Sequence, residues 1–146
     1  MLTAQKTEEF QHPIQNALVS QNVVRVLYID DDDIDRTLMQ MHVKRHLRAQ
    51  VELHCVETIC EARAAMKAHD FDYLVTDNRM PPISSYHETL ALLDLDNFEG
   101  RIIVVSSETR FECFDTEPDV RVHCVTDKVD LSQAIKDGLF GRFRSA

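Results

Sequence analysis

The chain has 146 residues, 44% of them hydrophobic, which suits one globular domain with a core large enough to fold alone and leaves no room for two. Its 25 acidic residues outnumber 16 basic ones, and the net charge of -9 argues against nucleic acid as the main partner, because phosphate contacts need a concentrated basic face. No apolar block of leader length opens the chain and no run of about 18 apolar residues follows, so a cytoplasmic protein is expected, with neither DNA nor membrane among its partners.

Residues 1–22 read as an N-terminal extension, in which Phe10, Ile14 and Leu18 fall on one face and Pro13 suits a first turn, predicting a short helix near 12–20. The main domain is expected over 23–142, with a tail at 143–146. Val23 to Ile29 is nearly continuous apolar sequence, as in a central parallel strand covered on both faces, and it ends in the carboxylates Asp30 to Asp33. Asp32 or Asp33 can cap a first helix whose inward face is predicted at Ile34, Leu38 and Met41, with Lys44, Arg45 and Arg48 at its C-terminal end. Val51 to Val56 alternates and predicts an edge strand. Thr58 and Glu61 have capping-box spacing ahead of Ile59, Ala62 and Met66, which predicts a second helix.

The next strand ends at Asp77, where Phe71 to Thr76 gives way to Asp77-Asn78-Arg79-Met80-Pro81-Pro82 and the prolines stop any ladder or helix. Ser85 and Glu88 repeat the capping-box spacing before Leu90 and Leu93. Arg101 to Val105 is a fourth buried strand ending in Ser106 and Ser107. A short irregular helix is expected between Glu108 and Asp119, and Val120 to Val125 is the fifth strand, followed by Thr126-Asp127-Lys128. Asp130 can cap a last helix carrying Leu131, Ile135 and Leu139, with Gly138 and Gly141 near its end. Strands alternating with helices predict a doubly wound α/β domain with a five-stranded parallel sheet and helices on both faces. The four cysteines, Cys55, Cys60, Cys113 and Cys124, include no C-x-x-C pair and are expected to be reduced and buried.

In a parallel sheet all carboxyl ends lie on one edge, so Asp30 and Asp31, Asp77, Ser106 and Lys128 can converge on one crevice. Like charges that close require a cation. Mg²⁺ suits a few carboxylates, waters and a phosphate, whereas no His or Cys joins the cluster to favour zinc. Taken singly, each position has a plainer reading: an aspartate run as a solvated turn or cap, Asp77 as a turn residue, Ser106 and Lys128 as structural or surface residues. His42 and His46 are spaced for a metal, but no third ligand is visible.

The ordered set Val26-Leu27-Tyr28-Ile29-Asp30-Asp31, Thr76-Asp77-Asn78-Arg79-Met80-Pro81, Val104-Val105-Ser106-Ser107 and Asp127-Lys128 resembles the receiver domain of bacterial two-component response regulators, over about Val23 to Phe140. The resemblance implies the flavodoxin-like strand order 2-1-3-4-5, the order for which receivers are a standard example. It implies that Asp77 accepts a phosphoryl group from a sensor histidine kinase or a histidine phosphotransfer protein. It also implies that Asp31, Asp77 and the backbone carbonyl of Arg79 hold Mg²⁺, with Asp30 contacting the ion through water. On physical grounds Mg²⁺ and Lys128 would each neutralise a phosphoryl oxygen and the Ser106 hydroxyl or nearby N–H groups would bind the third, while Asp77 supplies the nucleophile. The protein is then a self-phosphorylating phosphoacceptor and not a turnover enzyme. With no effector domain expected after Phe140, it would act as a stand-alone receiver, signalling by binding an unknown downstream protein or draining phosphoryl groups.

By the same resemblance, the first helix around Asp32, Arg36 and Met39 is the expected kinase-docking region. Val125 and Val129 stand where receivers commonly have an aromatic residue and a proline, and Ser85 lies near a common glycine position. Arg79 and Glu108, each two residues past a candidate site position, have opposite charges and are expected to pair over the phosphoryl group. Two other readings compete. A haloacid-dehalogenase-like phosphatase would use Asp30 of Asp30-Asp31-Asp32 as its nucleophile and leave Asp77 without a task, and a pseudo-receiver would bind partners without being phosphorylated.

Overall fold

Runs without alternation become the middle of the sheet and alternating ones its edges. In the computed structural model, which describes residues 23–107 and 121–141, Val24–Ile29 (β1), Tyr73–Asp77 (β3) and Arg101–Ser106 (β4) are flanked by Val51–Val56 (β2) and Val122–Asp127 (β5). The five strands form one sheet in the order β2-β1-β3-β4-β5, and every pairing is parallel. The expected helices near 12–20 and between Glu108 and Asp119, and the tail at 143–146, lie outside the described residues.

Successive residues of a strand face opposite sides, so each central strand contributes to two cores. Val26, Tyr28, Val75, Ile103 and Val105 pack with Met39, Val43, Leu131, Ile135 and Phe140. Leu27, Ile29, Leu74, Ile102 and Val104 pack with Ala62, Tyr86, Leu90 and Leu93. Helices Asp33–His46 (α1) and Leu131–Lys136 (α4) thus cover one face, and Ile59–Ala68 (α2) and Tyr86–Leu93 (α3) the other. Buried apolar area on both sides, at about 25 cal/mol per Å², is what holds a parallel sheet together.

Several local expectations are corrected. Asp32 caps α1, its Oδ1 accepting from the N–H groups of Ile34 and Asp35 at 2.8 and 3.2 Å. The helix then turns a different face inward: Ile34, Leu38 and Met41 are exposed, while Met39 and Val43 are buried. The inward stripe runs Asp35, Arg36, Met39, Val43, and its first turn is polar because it faces the sheet's carboxyl edge, not the core. Ser85 occupies the N-cap of α3 without a side-chain bond; the Glu88 carboxylate instead accepts from the Ser84 N–H and hydroxyl. Asp130 makes no side-chain cap, because the preceding turn Lys128–Asp130 is capped by Asp127, whose Oδ1 accepts from Val129 N–H at 2.9 Å. β5 ends at Asp127, later than expected, its ladder shifted by an irregularity between Ile102 and Ile103. Cys60 is exposed, and Cys55 and Cys124 are half-buried; none of these free thiols is a core residue.

Candidate functional site

Strand register brings the acidic ends together. Ile29 lies opposite Thr76, so Asp30 and Asp77 emerge side by side, and Asp77 in turn lies opposite Val105, one residue before Ser106. Asp30 is held at the edge by its N–H to Val56 O (3.1 Å), and Asn78 N–H to Val105 O (2.8 Å) keeps the chain after Asp77 in line. One carboxylate oxygen each from Asp30, Asp31 and Asp77 lie within 4.8 Å of one another, Asp30 and Asp77 buried and Asp31 exposed.

Lys128 enters from the far side. Asp127 pairs with Ser106 at the end of β5, and the turn capped by Asp127 folds Lys128 back over the edge. Its Nζ lies 2.9 Å from Asp30 Oδ2, 3.3 Å from Asp77 Oδ1 and 2.6 Å from Asp35 Oδ2. Ser106 ends β4 buried, and Arg79 is exposed in the loop after β3. Glu108 lies outside the described residues, so its expected pairing with Arg79 has no structural account here.

Three residues join the site that the sequence reading did not include. The Tyr28 hydroxyl donates to Asp30 Oδ2 at 2.5 Å, and Arg36 Nη1 donates to Asp30 O at 2.7 Å. Asp35 holds Lys128. Tyr28, among the aliphatic residues of the buried end of β1 and two residues before Asp30, was a readable signal, because a buried phenol needs a partner for its hydroxyl on its own face. Asp35 and Arg36 were hidden by the wrong helix phase. The docking expectation changes with it: Met39 is fully buried and Arg36 is spent on Asp30, leaving Ile34, Leu38 and Met41 as the exposed apolar residues of α1. His46 Nε2 meets the Ser132 hydroxyl at 2.9 Å, a helix-to-helix contact.

The electrostatics are those of a crowded acidic pocket. Burial first, then Asp30, pushes the Asp77 carboxyl up to about 6, with Lys128 pulling the other way. Burial disfavours the Lys128 charge, but its bonds to Asp35 and Asp30 outweigh that and hold the amine protonated well above its usual range. Burial and the bond to Asp30 keep the Tyr28 phenol a donor at every ordinary pH. Asp30 is held on both oxygens: Oδ2 accepts from Tyr28 and Lys128, and Oδ1 from Asp32 N–H at 3.0 Å. A cleft of about 1160 Å³ opens at the opposite edge of the sheet, beside Phe71, Asp72, Gly100 and Arg101, and includes none of these groups.

With that geometry in hand, solved structures give the comparison. The chain resembles the Salmonella typhimurium response regulator RcsB at 15% identity and a TM-score of 0.68, covering 85% of this chain and 64% of RcsB. It has the receiver fold. The match to the phosphorylated cyanobacterial phytochrome response regulator RcpA has 20% identity and a TM-score of 0.63, over 79% of this chain and 90% of that one. For the Thermotoga maritima response regulator TrrA, solved in complex with Mg²⁺-BeF, the values are 19% and 0.59, over 79% and 98%. A scan against protein-family models and a search of curated proteins give no match. The receiver fold therefore comes from the three-dimensional likeness, and at these identities it speaks for architecture alone. Among the described residues no helix is long and apolar enough to cross a membrane.

Proposed function

We propose that the protein is a phosphoacceptor of two-component signalling, taking a phosphoryl group on Asp77 and signalling through protein contacts. The observation that carries this is the meeting of three carboxylates and an ammonium at the carboxyl edge of a receiver-type sheet. TrrA, a structural relative, has been solved with Mg²⁺-BeF and with the histidine kinase ThkA, which supports a phosphohistidine donor and a magnesium requirement here.

The donor set fits a hard divalent cation: three oxygen ligands within 4.8 Å, two of them buried and mutually repelling. Asp31, Asp77 and the Arg79 carbonyl would hold Mg²⁺, with Asp30 behind them, and the ion when bound would neutralise charge on the transferring phosphoryl group. The residues of the chain supply the rest. Asp77 attacks phosphorus in line; a phosphorus–oxygen bond forms as the phosphorus–nitrogen bond breaks, and the imidazole leaves with the bonding electrons and is protonated by solvent. Lys128 neutralises one equatorial oxygen and the Ser106 hydroxyl binds another. Tyr28 and Asp32 fix Asp30, so the carboxylate cannot rotate away when Lys128 moves.

Asp30 is the nucleophile in the phosphatase reading. It is fully buried and each of its oxygens accepts a hydrogen bond, whereas the Asp77 carboxylate meets Lys128 only at 3.3 Å among the described residues. Incubation with Mg²⁺ and acetyl phosphate, borohydride reduction and mapping should mark Asp77, and Asp77→Asn should lower uptake at least about 100-fold. Modification at Asp30 would establish the phosphatase reading instead, and no adduct at all would indicate a pseudo-receiver. For the donor we propose docking on the exposed apolar residues Ile34, Leu38 and Met41 of α1, with Val129 beside Lys128. Leu38→Glu should then slow transfer from a phosphohistidine protein about tenfold while leaving acetyl phosphate uptake unchanged.

A further inference from the structure

The shortest contact of Lys128 is to a residue outside the acidic cluster. Its Nζ lies 2.6 Å from Asp35 Oδ2, against 2.9 Å to Asp30 and 3.3 Å to Asp77. Of the three N–H donors of the ammonium, one bonds Asp35 and one Asp30, while Asp77 is met only as an ion pair at 3.3 Å. A phosphoryl oxygen arriving on Asp77 therefore gains a short bond from Lys128 by drawing the amine towards Asp77 and away from one of the two acceptors that hold it. Asp30 is a poor candidate to yield, being fully buried and tied to Tyr28 and Asp32 N–H. The Asp35 side chain is 28% exposed, so water can take over its hydrogen bonds when the amine leaves. Its backbone need not move, because the Asp35 N–H is held by the Asp32 cap at 3.2 Å.

We propose that Asp35 is a positioning residue that restrains phosphorylation: it holds the Lys128 ammonium towards α1 in the resting site, and the amine must leave it to reach a phosphoryl group on Asp77. The inference rests on the phosphoacceptor reading above. It assigns Asp35 a role in the rate of the step and none in binding the cation. The longest of the three contacts, to Asp77, is the one a competing anchor would stretch. Burial also opposes the charge on Lys128, and the Asp35 bond is the largest contribution restoring it.

The test compares beryllofluoride affinity, read by fluorine NMR with Mg²⁺ present, and the rate of acetyl phosphate uptake across four proteins. Asp35→Asn should bind beryllofluoride more tightly and take up phosphoryl faster than wild type, by roughly three- to tenfold, the worth of one partly exposed charge-assisted hydrogen bond. Asp35→Glu, which keeps the anchor, should fall near wild type. Asp33→Asn removes the same charge from an exposed position two residues earlier in the helix and should show no gain. An unchanged or slower Asp35→Asn overturns the restraint. An equal gain in Asp33→Asn overturns it too, because the effect would then be long-range charge alone. If wild type and Asp35→Asn both form no adduct, the phosphoacceptor reading has failed and the inference falls with it; an adduct in wild type without a gain in Asp35→Asn defeats the inference alone.

Discussion

Asp72 and Asp77 bracket the same strand, Tyr73–Asp77, and the sheet treats them in opposite ways. At the amino edge Asp72 is exposed, its Oδ2 accepts from Arg25 N–H at 2.8 Å, and its backbone N–H returns a bond to Arg25 O, clamping β3 to β1. Around it, Arg25 reaches Glu52 at 3.4 Å with both side chains more than 40% exposed. At the carboxyl edge Asp77 is buried beside two more carboxylates. The difference is one of solvent, not residue type: the same carboxylate is a clamp where water and a backbone N–H satisfy it, and holds its proton more tightly where neighbours of its own sign crowd it in a drier place.

That contrast can be broken most strongly at Lys128. Lys128→Ala leaves fully buried Asp30 without its cation and should cost about 3–5 kcal/mol in urea unfolding without metal. Arg25→Ala, at the opposite edge, removes a solvent-screened pair and should cost less than about 1 kcal/mol. Equal losses would mean that the two edges do not differ as described.

A smaller effect sharpens the comparison through pH. The Asp77 carboxyl is raised from an ordinary 3.8 to about 6, so between these values the folded protein holds a proton that the unfolded chain has released. Stability therefore falls as pH rises from about 4 to about 6, and near pH 7 the ionised group destabilises the metal-free fold by roughly 2–3 kcal/mol. Asp77→Asn should raise metal-free stability at pH 7 by about 2 kcal/mol and flatten the profile, a rise of several degrees in Tm. Magnesium should raise the Tm of wild type more than that of the variant. An acid-side profile identical in both proteins would show that Asp77 is not the strained group.

The smallest effect concerns the partners. Tyr28→Phe removes a buried hydroxyl from Asp30 Oδ2 and should cost about 1–2 kcal/mol by thermal unfolding. Asp72→Ala should stay within about 1 kcal/mol, since water can serve the freed Arg25 N–H. A larger loss from Asp72 than from Tyr28 would reverse the ranking of the two edges.

Much of this architecture was readable from the chain alone. Continuous apolar runs named the central strands, the alternating run of Val51 to Val56 named an edge, and carboxylates at strand ends named the edge where they would meet. The failures share a cause. On α1 two stripes compete for the inward position, and the apolar one, Ile34, Leu38 and Met41, is exposed. The winning stripe begins with Asp35 and Arg36, which face the pocket, and polar residues that serve a site look in sequence like residues that face water. The Ser84 and Asp127 contacts were missed for a milder reason, because cap geometry depends on where the chain enters a turn.

By itself the sequence determined the order of elements, the parallel sheet and the set of acidic strand ends, since these follow from periodicity and from where apolar runs stop. Only the tertiary structure decided how the pocket is wired: that Asp30 is fixed by Tyr28 and Asp32, and that Lys128 divides itself among Asp30, Asp35 and Asp77. Periodicity is a local property that a strand or helix carries along its own length. Which oxygen receives which proton depends on register and helix phase, and those are settled by packing between segments far apart in the chain.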